Sequence, residues 1–130
     1  MTDLPAFADL TTDEVAKMSI DERIELLRAN ILHCTQDVLH YDVVEIRMLD
    51  PQTRALEPVL AVGMMPEAAN RKLWAEQTGN GVTGFVAATG KSYLCDDTSE
   101  DPLYLEGAAN ARSSLTVPVM LNDRLTGTLN

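Results

Sequence analysis

The sequence predicts an α+β domain in which short helices separate antiparallel hairpins. Three observations predict it. Apolar residues recur at helical spacing from Ile20 to Val38, the period falls to two after Val44, and the turn dipeptides Asp50-Pro51 and Asn122-Asp123 each separate two extended runs. Hairpins with helices between them place the helices on one face of a single sheet.

Two capping boxes, Thr11 with Glu14 and Ser19 with Glu22, open the helical part of the chain. After the second, Ile20, Ile24, Leu27, Ile31, Cys34 and Val38 form one face of a helix about twenty residues long, and Leu26, Leu32 and Leu39 widen the stripe. A helix apolar on more than one face has two neighbours, and a second copy of the chain is one candidate for the outer one. Val44, Ile46 and Met48 then alternate with Glu45 and Arg47, Asp50-Pro51 suits a type I turn, and Leu56 to Val62 returns as the second arm. Pro58 cannot donate to a ladder, so this arm belongs at the sheet edge.

Pro66 suits a first helical turn, and "EAANRKLWAEQT" reads as a polar helix carrying Leu73 and Trp74 and stopping at Gly79. "GNGVTG", Gly79 to Gly84, matches the G-x-G-x-x-G spacing of a dinucleotide turn, but no apolar strand feeds it and Glu100 and Asp101 lie in a polar loop, not at a strand end. Positive φ, or a tight crossing of two helices, accounts for the glycines without a phosphate. "VTGFVAAT" forms a short helix ended by Gly90; "SYLCDD" is a short strand; and after the loop Asp96 to Arg112, "SSLTVPVML" and "DRLTGTLN" form a second hairpin.

The composition excludes several classes. Ten basic residues against 20 acidic give a net charge of −10 over 130 residues, which disfavours nucleic acid and anionic membranes as partners. No window approaches the roughly 20 apolar residues of a membrane span, and the N-terminus is acidic where a secretory signal is basic, so a cytoplasmic location is expected. The two cysteines, Cys34 and Cys95, have no metal or redox spacing and read as plain buried thiols. No catalytic constellation and no metal or cofactor site is visible: both histidines share one helix, and Cys34 points about 100° away from His33.

The stretch "GNGVTGFVAATGKSYLCDDTSEDPLYLEGAANARSSLTVPVMLNDRLTGTLN" resembles the second half of a GAF domain, with the Gly-rich turn and helix, the "TGKSYLCDD" strand, the "DPLY" loop and the last two strands in the family's order. The resemblance covers residues 26–130, with 1–25 as a helical lead-in. It implies a central antiparallel sheet with helices on one face and a small-molecule pocket with loops on the other. It also implies a role in bacterial signal transduction, with dimerisation through terminal helices beside an effector domain in the same or a partner chain. The family continues through a terminal helix beyond the last strand, so the chain is expected to be truncated at that end, either as a fragment of a larger sensor or as a domain whose core a partner completes.

Several subfamilies are disfavoured. The cyclic-nucleotide signature is absent; bilin attachment uses Cys followed by His on a pocket helix, where this chain has His33-Cys34; haem through His33 or His40 falls on the wrong side; and a sulfoxide-reductase cycle needs several pocket cysteines, where Cys95 is alone. The resemblance leaves a non-enzymatic sensor of an unidentified small molecule, or a ligand-free dimerisation spacer. Candidate ligand residues are Tyr93, Cys95, Asp96, Asp97, Asp101, Tyr104, Arg112 and Trp74; the aspartates serve equally as turn formers in a solvated loop, Arg112 as an ion pair with that loop, and Trp74 as the anchor of its helix. Candidate dimer-interface residues are Ile24, Leu27, Ile31, Cys34 and Val38.

Overall fold

A computed structural model describes residues 9–107 and 111–130; the first part of the lead-in and residues 108–110 of the loop lie outside them. The chain divides into two compact units, Met1–Asp42 and Val43–Asn130.

The first unit is helical. Helix α1 spans Thr12–Ala16 and α2 spans Ile20–Leu32, and both capping boxes form in full: the Thr11 and Ser19 hydroxyls accept from the amides of Glu14 and Glu22, whose carboxylates accept in return. Arg23 on α2 donates to the carbonyls of Val15 and Ala16 at 3.0 and 2.9 Å, satisfying acceptors left open at the end of α1. The expected twenty-residue α-helix is not uniform. From His33 to Val38 it widens into a π-helical segment, after which His40 takes a left-handed conformation at φ 60°. Asn30 and Thr35 each donate a side-chain hydrogen bond to the carbonyl four residues back, at 2.8 Å, a local competitor of the regular ladder. Leu26 is the buried apolar residue of α2, while Ile20, Ile24 and Val38 of the predicted stripe lie exposed, and Cys34, expected as a buried thiol, is exposed as well because no described residue covers this side of the helical segment.

The second unit is a five-stranded antiparallel sheet in the order β2-β1-β5-β4-β3, formed by β1 (Val44–Leu49), β2 (Leu56–Val62), β3 (Tyr93–Cys95), β4 (Ser114–Leu121) and β5 (Arg124–Leu129). β2 lies at an edge, as Pro58 requires, and a register shift occurs beside it between Ile46 and Arg47. The β1–β2 turn is longer than a type I turn: the Arg54 amide reaches the Asp50 carbonyl at 2.8 Å and Arg54 itself is left-handed. The second hairpin turns on Asn122 and Asp123, both at positive φ, which matches the twist of the flanking strands. Pro118 sits in an interior strand without breaking the β3 ladder, because β3 pairs only with Ser114–Thr116.

Two helices interrupt the strands, α3 (Pro66–Ala69) and α4 (Gly81–Thr89), the latter ended by left-handed Gly90. The expected helix through Trp74 is corrected here: α3 is one turn, and the chain then runs extended, with Leu73 O accepting from Leu56 N and Ala75 N donating to Arg54 O, both at 2.9 Å. Alternation decides it, since Leu73 and Ala75 enter a buried cluster with Leu56 and Ala87 while Trp74 between them points outward, 39% exposed and bridged to Ala55. The glycine-rich turn therefore brings α4 against an extended segment, not against a helix. Gly79 and Gly81 have positive φ, and a Cβ on Gly84 would lie 2.7 Å from the carbonyl oxygen of Trp74.

Candidate functional site

The sheet has two unlike faces. Directly paired residues share a face, so Arg47, Thr128 and Pro118 form one row across β1, β5 and β4. One register step along, Glu45 exchanges both backbone hydrogen bonds with Asn130 at 2.8 Å, and Thr116 pairs with Tyr93; beyond it Ser114 pairs with Cys95. Helix α3, helix α4 and the loop after β3 lie over this polar face: Arg47 reaches the Ala68 carbonyl of α3, the Phe85 ring of α4 meets Tyr93 edge-on at 5.5 Å, and Leu105 lies against Gly81. The opposite face carries Val44, Ile46 and Leu60, which are buried, and Leu94 and Leu115, which are exposed.

The strand alternation puts Glu45 and Arg47 on one face without deciding whether that face is covered; both are buried, Arg47 completely. The guanidinium donates to Leu56 O at 3.0 Å, Arg71 O at 2.8 Å and Ala68 O at 3.2 Å, and its Nε lies 3.1 Å from Glu45 Oε2. Through these three carbonyls Arg47 ties β2, α3 and the extended segment to β1. Burial pushes the Glu45 carboxyl up, and the Arg47 cation opposes that rise.

At the other end of the row, Tyr93 Oη donates to Asp101 Oδ2 at 2.5 Å, and the Leu103 amide donates to Asp101 Oδ1 at 2.9 Å. The Tyr93 hydrogen bond holds the Asp101 carboxyl below the usual range, and the same bond pushes the Tyr93 phenol up to about 12. Cys95 is fully buried, and burial first, then the nearby Asp101 charge, pushes its thiol up, so it rests as an unreactive thiol. A strand and a loop eight residues apart are thereby pinned together, and Thr98 closes the loop's far end with hydrogen bonds to Ala111 O at 2.6 Å and Arg112 O at 3.0 Å.

Of the sequence candidates, Tyr93, Cys95 and Asp101 come together. Asp97 accepts from the Ser99 hydroxyl and amide at 2.6 and 3.0 Å, closing a turn that lowers its carboxyl pKa, and Asp96 is exposed. Tyr104 is half-buried, its amide on Asp101 O, and Arg112 is exposed and makes no ion pair among the described residues. Trp74 lies on the extended segment described above. Residues missed in sequence are Glu45, Arg47, Ser114, Thr116, Thr128 and Asn80. Asn80 is buried and organises the glycine turn by accepting from Trp74 N at 2.9 Å and donating to Thr78 O at 3.0 Å; asparagine between two glycines was its only signal.

Among the described residues there is no group of three or more His, Cys, Asp or Glu able to hold a metal, and no helix long and apolar enough to cross a membrane. No match was found among curated protein sequences. Solved structures that share the fold include the GAF domain of a phosphoenolpyruvate-protein phosphotransferase from Coxiella burnetii (TM-score 0.65, 18% identity, 91% of this chain and 70% of that one). Residues 122 to 287 of a methyl-accepting chemotaxis protein align at 27% identity (TM-score 0.63, 91% of this chain and 76% of that one). A type II free methionine-R-sulfoxide reductase from Thermoplasma acidophilum aligns at 18% identity (TM-score 0.70, 85% of this chain and 74% of that one). Signalling and catalytic proteins thus share this fold, and the site must decide between them. The model of the GAF domain family matches residues 3–130, and the chain belongs to that family.

Proposed function

We propose that this GAF domain is a regulatory module of a bacterial, cytoplasmic signal-transduction protein. It binds a small molecule over the polar face of its sheet and passes the change on through a homodimer packed along α2, to an effector domain in the same or a partner chain. The observation that carries the reading is the chemistry of that face: a face serving only as core is apolar, whereas Glu45, Arg47, Thr116 and Thr128 are all buried here. The exposure of Ile20, Ile24 and Val38 along the helix supports the dimer, since an apolar stripe of this kind is covered when two copies pack together.

A role without catalysis fits the thiols. Cys95 is buried with its thiolate disfavoured, and Cys34 is exposed on the N-terminal helical unit. A ligand-free spacer is the second reading, favoured by the way Arg47 spends its terminal nitrogens on the protein's own carbonyls. Native mass spectrometry of the gently purified chain separates the two: a dimer carrying extra bound mass supports the sensor, and a bare dimer supports the spacer. Ile24→Glu, at a position 41% exposed, is expected to give a folded monomer by light scattering; a dimer that persists refutes packing through this stripe.

A further inference from the structure

The helix before β1 changes its winding where its apolar line can continue in two ways. From Ile20 to Leu32 the backbone is α-helical; from His33 to Val38 it is π-helical, and Leu39 N donates to Cys34 O, five residues back, at 3.0 Å. Tyr41 N then closes the end on Thr35 O, six residues back, at 2.7 Å. A π turn holds most of one residue more than an α turn, so residues beyond it lie about one α-helical step, roughly 100°, from where an unbroken α-helix puts them.

In an α register the apolar line through Ile24, Leu27 and Ile31 continues at spacings of three and four, through Cys34 and Val38. In the π register it continues at spacings of four, through Thr35 and Leu39. Burial follows the second course: Ile31 is half-buried and Thr35 buried, with its hydroxyl on Ile31 O at 2.8 Å, whereas Cys34 and Val38 are exposed. Opposing preferences therefore meet in this segment. The α register keeps the line apolar throughout, and the π register places a threonine in it but gains the closure from Tyr41. Val38 and Leu39 are adjacent and both apolar, so a slip of one residue exchanges one for the other at the end of the line. They are 58% and 57% exposed, and deep burial fixes neither register. In an ordinary amphipathic helix such a slip carries a polar residue into that position.

We propose that His33–Val38 is a register switch: the π form of this structure exchanges with an α form in which Cys34 and Val38 replace Thr35 and Leu39 along the apolar line. The two forms present different side chains to a second copy of the chain, and this use in signalling rests on the dimer reading above.

Relaxation-dispersion nuclear magnetic resonance on the labelled full chain tests the switch, because helix register shifts occur in microseconds to milliseconds. The amides of His33 to Tyr41 are expected to exchange at one common rate, and those of Ile20 to Asn30 not at all. Deleting Gln36 removes the surplus residue and keeps Leu39 in its present place on an α-helix; it is expected to abolish the exchange while the signals of the sheet stay where they are. Should that variant not fold, Leu39→Ala is expected to raise the minor population roughly twofold and Val38→Ala to lower it as much, since each removes the apolar side chain that favours one register. A flat profile in the parent chain overturns the proposal, as does exchange that persists after the deletion, or alanine variants that shift the population in the same direction. Light scattering keeps the two readings apart. Exchange in a chain that stays monomeric supports the switch and overturns the dimer alone, and a dimer without exchange overturns the switch alone.

Discussion

Replacing Arg47 by methionine tests how the sheet face is held together. Methionine fills most of the volume but removes three donors, at 2.8 to 3.2 Å, from carbonyls on β2, α3 and the following segment, and leaves Glu45 buried without its cation. Breaking a buried pair from one side costs about 3–5 kcal/mol. The double variant Glu45→Leu/Arg47→Met still loses the hydrogen bonds to the carbonyls but leaves no unpaired charge, so it is expected to lose only about 2 kcal/mol, about 2 kcal/mol less than the single variant. Urea unfolding read by the single tryptophan, Trp74, which is paired to Ala55 near these carbonyls, measures both variants. The pH dependence gives a second readout. Glu45 already has its folded pKa raised above 4.5, so the folded state binds more protons than the unfolded one there, and stability falls as pH rises through the raised value. Loss of Arg47 raises that pKa further, so Arg47→Met gains stability on going from neutral to mildly acidic pH, and the double variant lacks this gain. A single variant less than about 1 kcal/mol below the parent, or single and double variants alike, refutes the argument.

Three other outcomes are expected. Gly84→Ala places a Cβ 2.7 Å from Trp74 O and 3.0 Å from Glu76 O, and overpacking against backbone exceeds the gain in helix propensity, for a net loss of about 2 kcal/mol in thermal unfolding; a neutral result refutes the close approach. Asp101→Asn brings the Tyr93 phenol down from about 12 toward 10, visible as phenolate absorbance, and removes the stability that the depressed carboxyl supplies above its unfolded value of 3.8 and loses as pH falls through its folded value. Asp123→Gly relieves a left-handed residue at φ 64° in the β4–β5 turn and is expected to raise stability by about 0.5 kcal/mol, the steric relief exceeding the added unfolded-chain entropy; destabilisation refutes the turn geometry.

How much was legible in the sequence follows the range of the interactions. The capping boxes at Thr11 and Ser19, the left-handed cap at Gly90, the Asn122-Asp123 turn and the edge position of Pro58 rest on bonds or dihedrals within a few residues, and each formed as expected. The segment 71–78 misled because its residues favour a helix locally, whereas the gain from pairing Leu73 and Ala75 with the start of β2 lies across the chain. Tyr93, Cys95 and Asp101 were named as neighbours of one pocket, but their bonding needed the loop's path.

The sequence alone therefore determined the element order, the turns and the polar character of the loop after β3, because hydrogen bonds and torsions between near neighbours are written in adjacent residues. Tertiary structure decided what the alternation of Glu45 and Arg47 left open. A period of two assigns residues to two faces but carries no information on whether a second layer covers each. Only the arrival of Ala68, Arg71 and α4 over the sheet turned a solvated face into a buried, charge-compensated one.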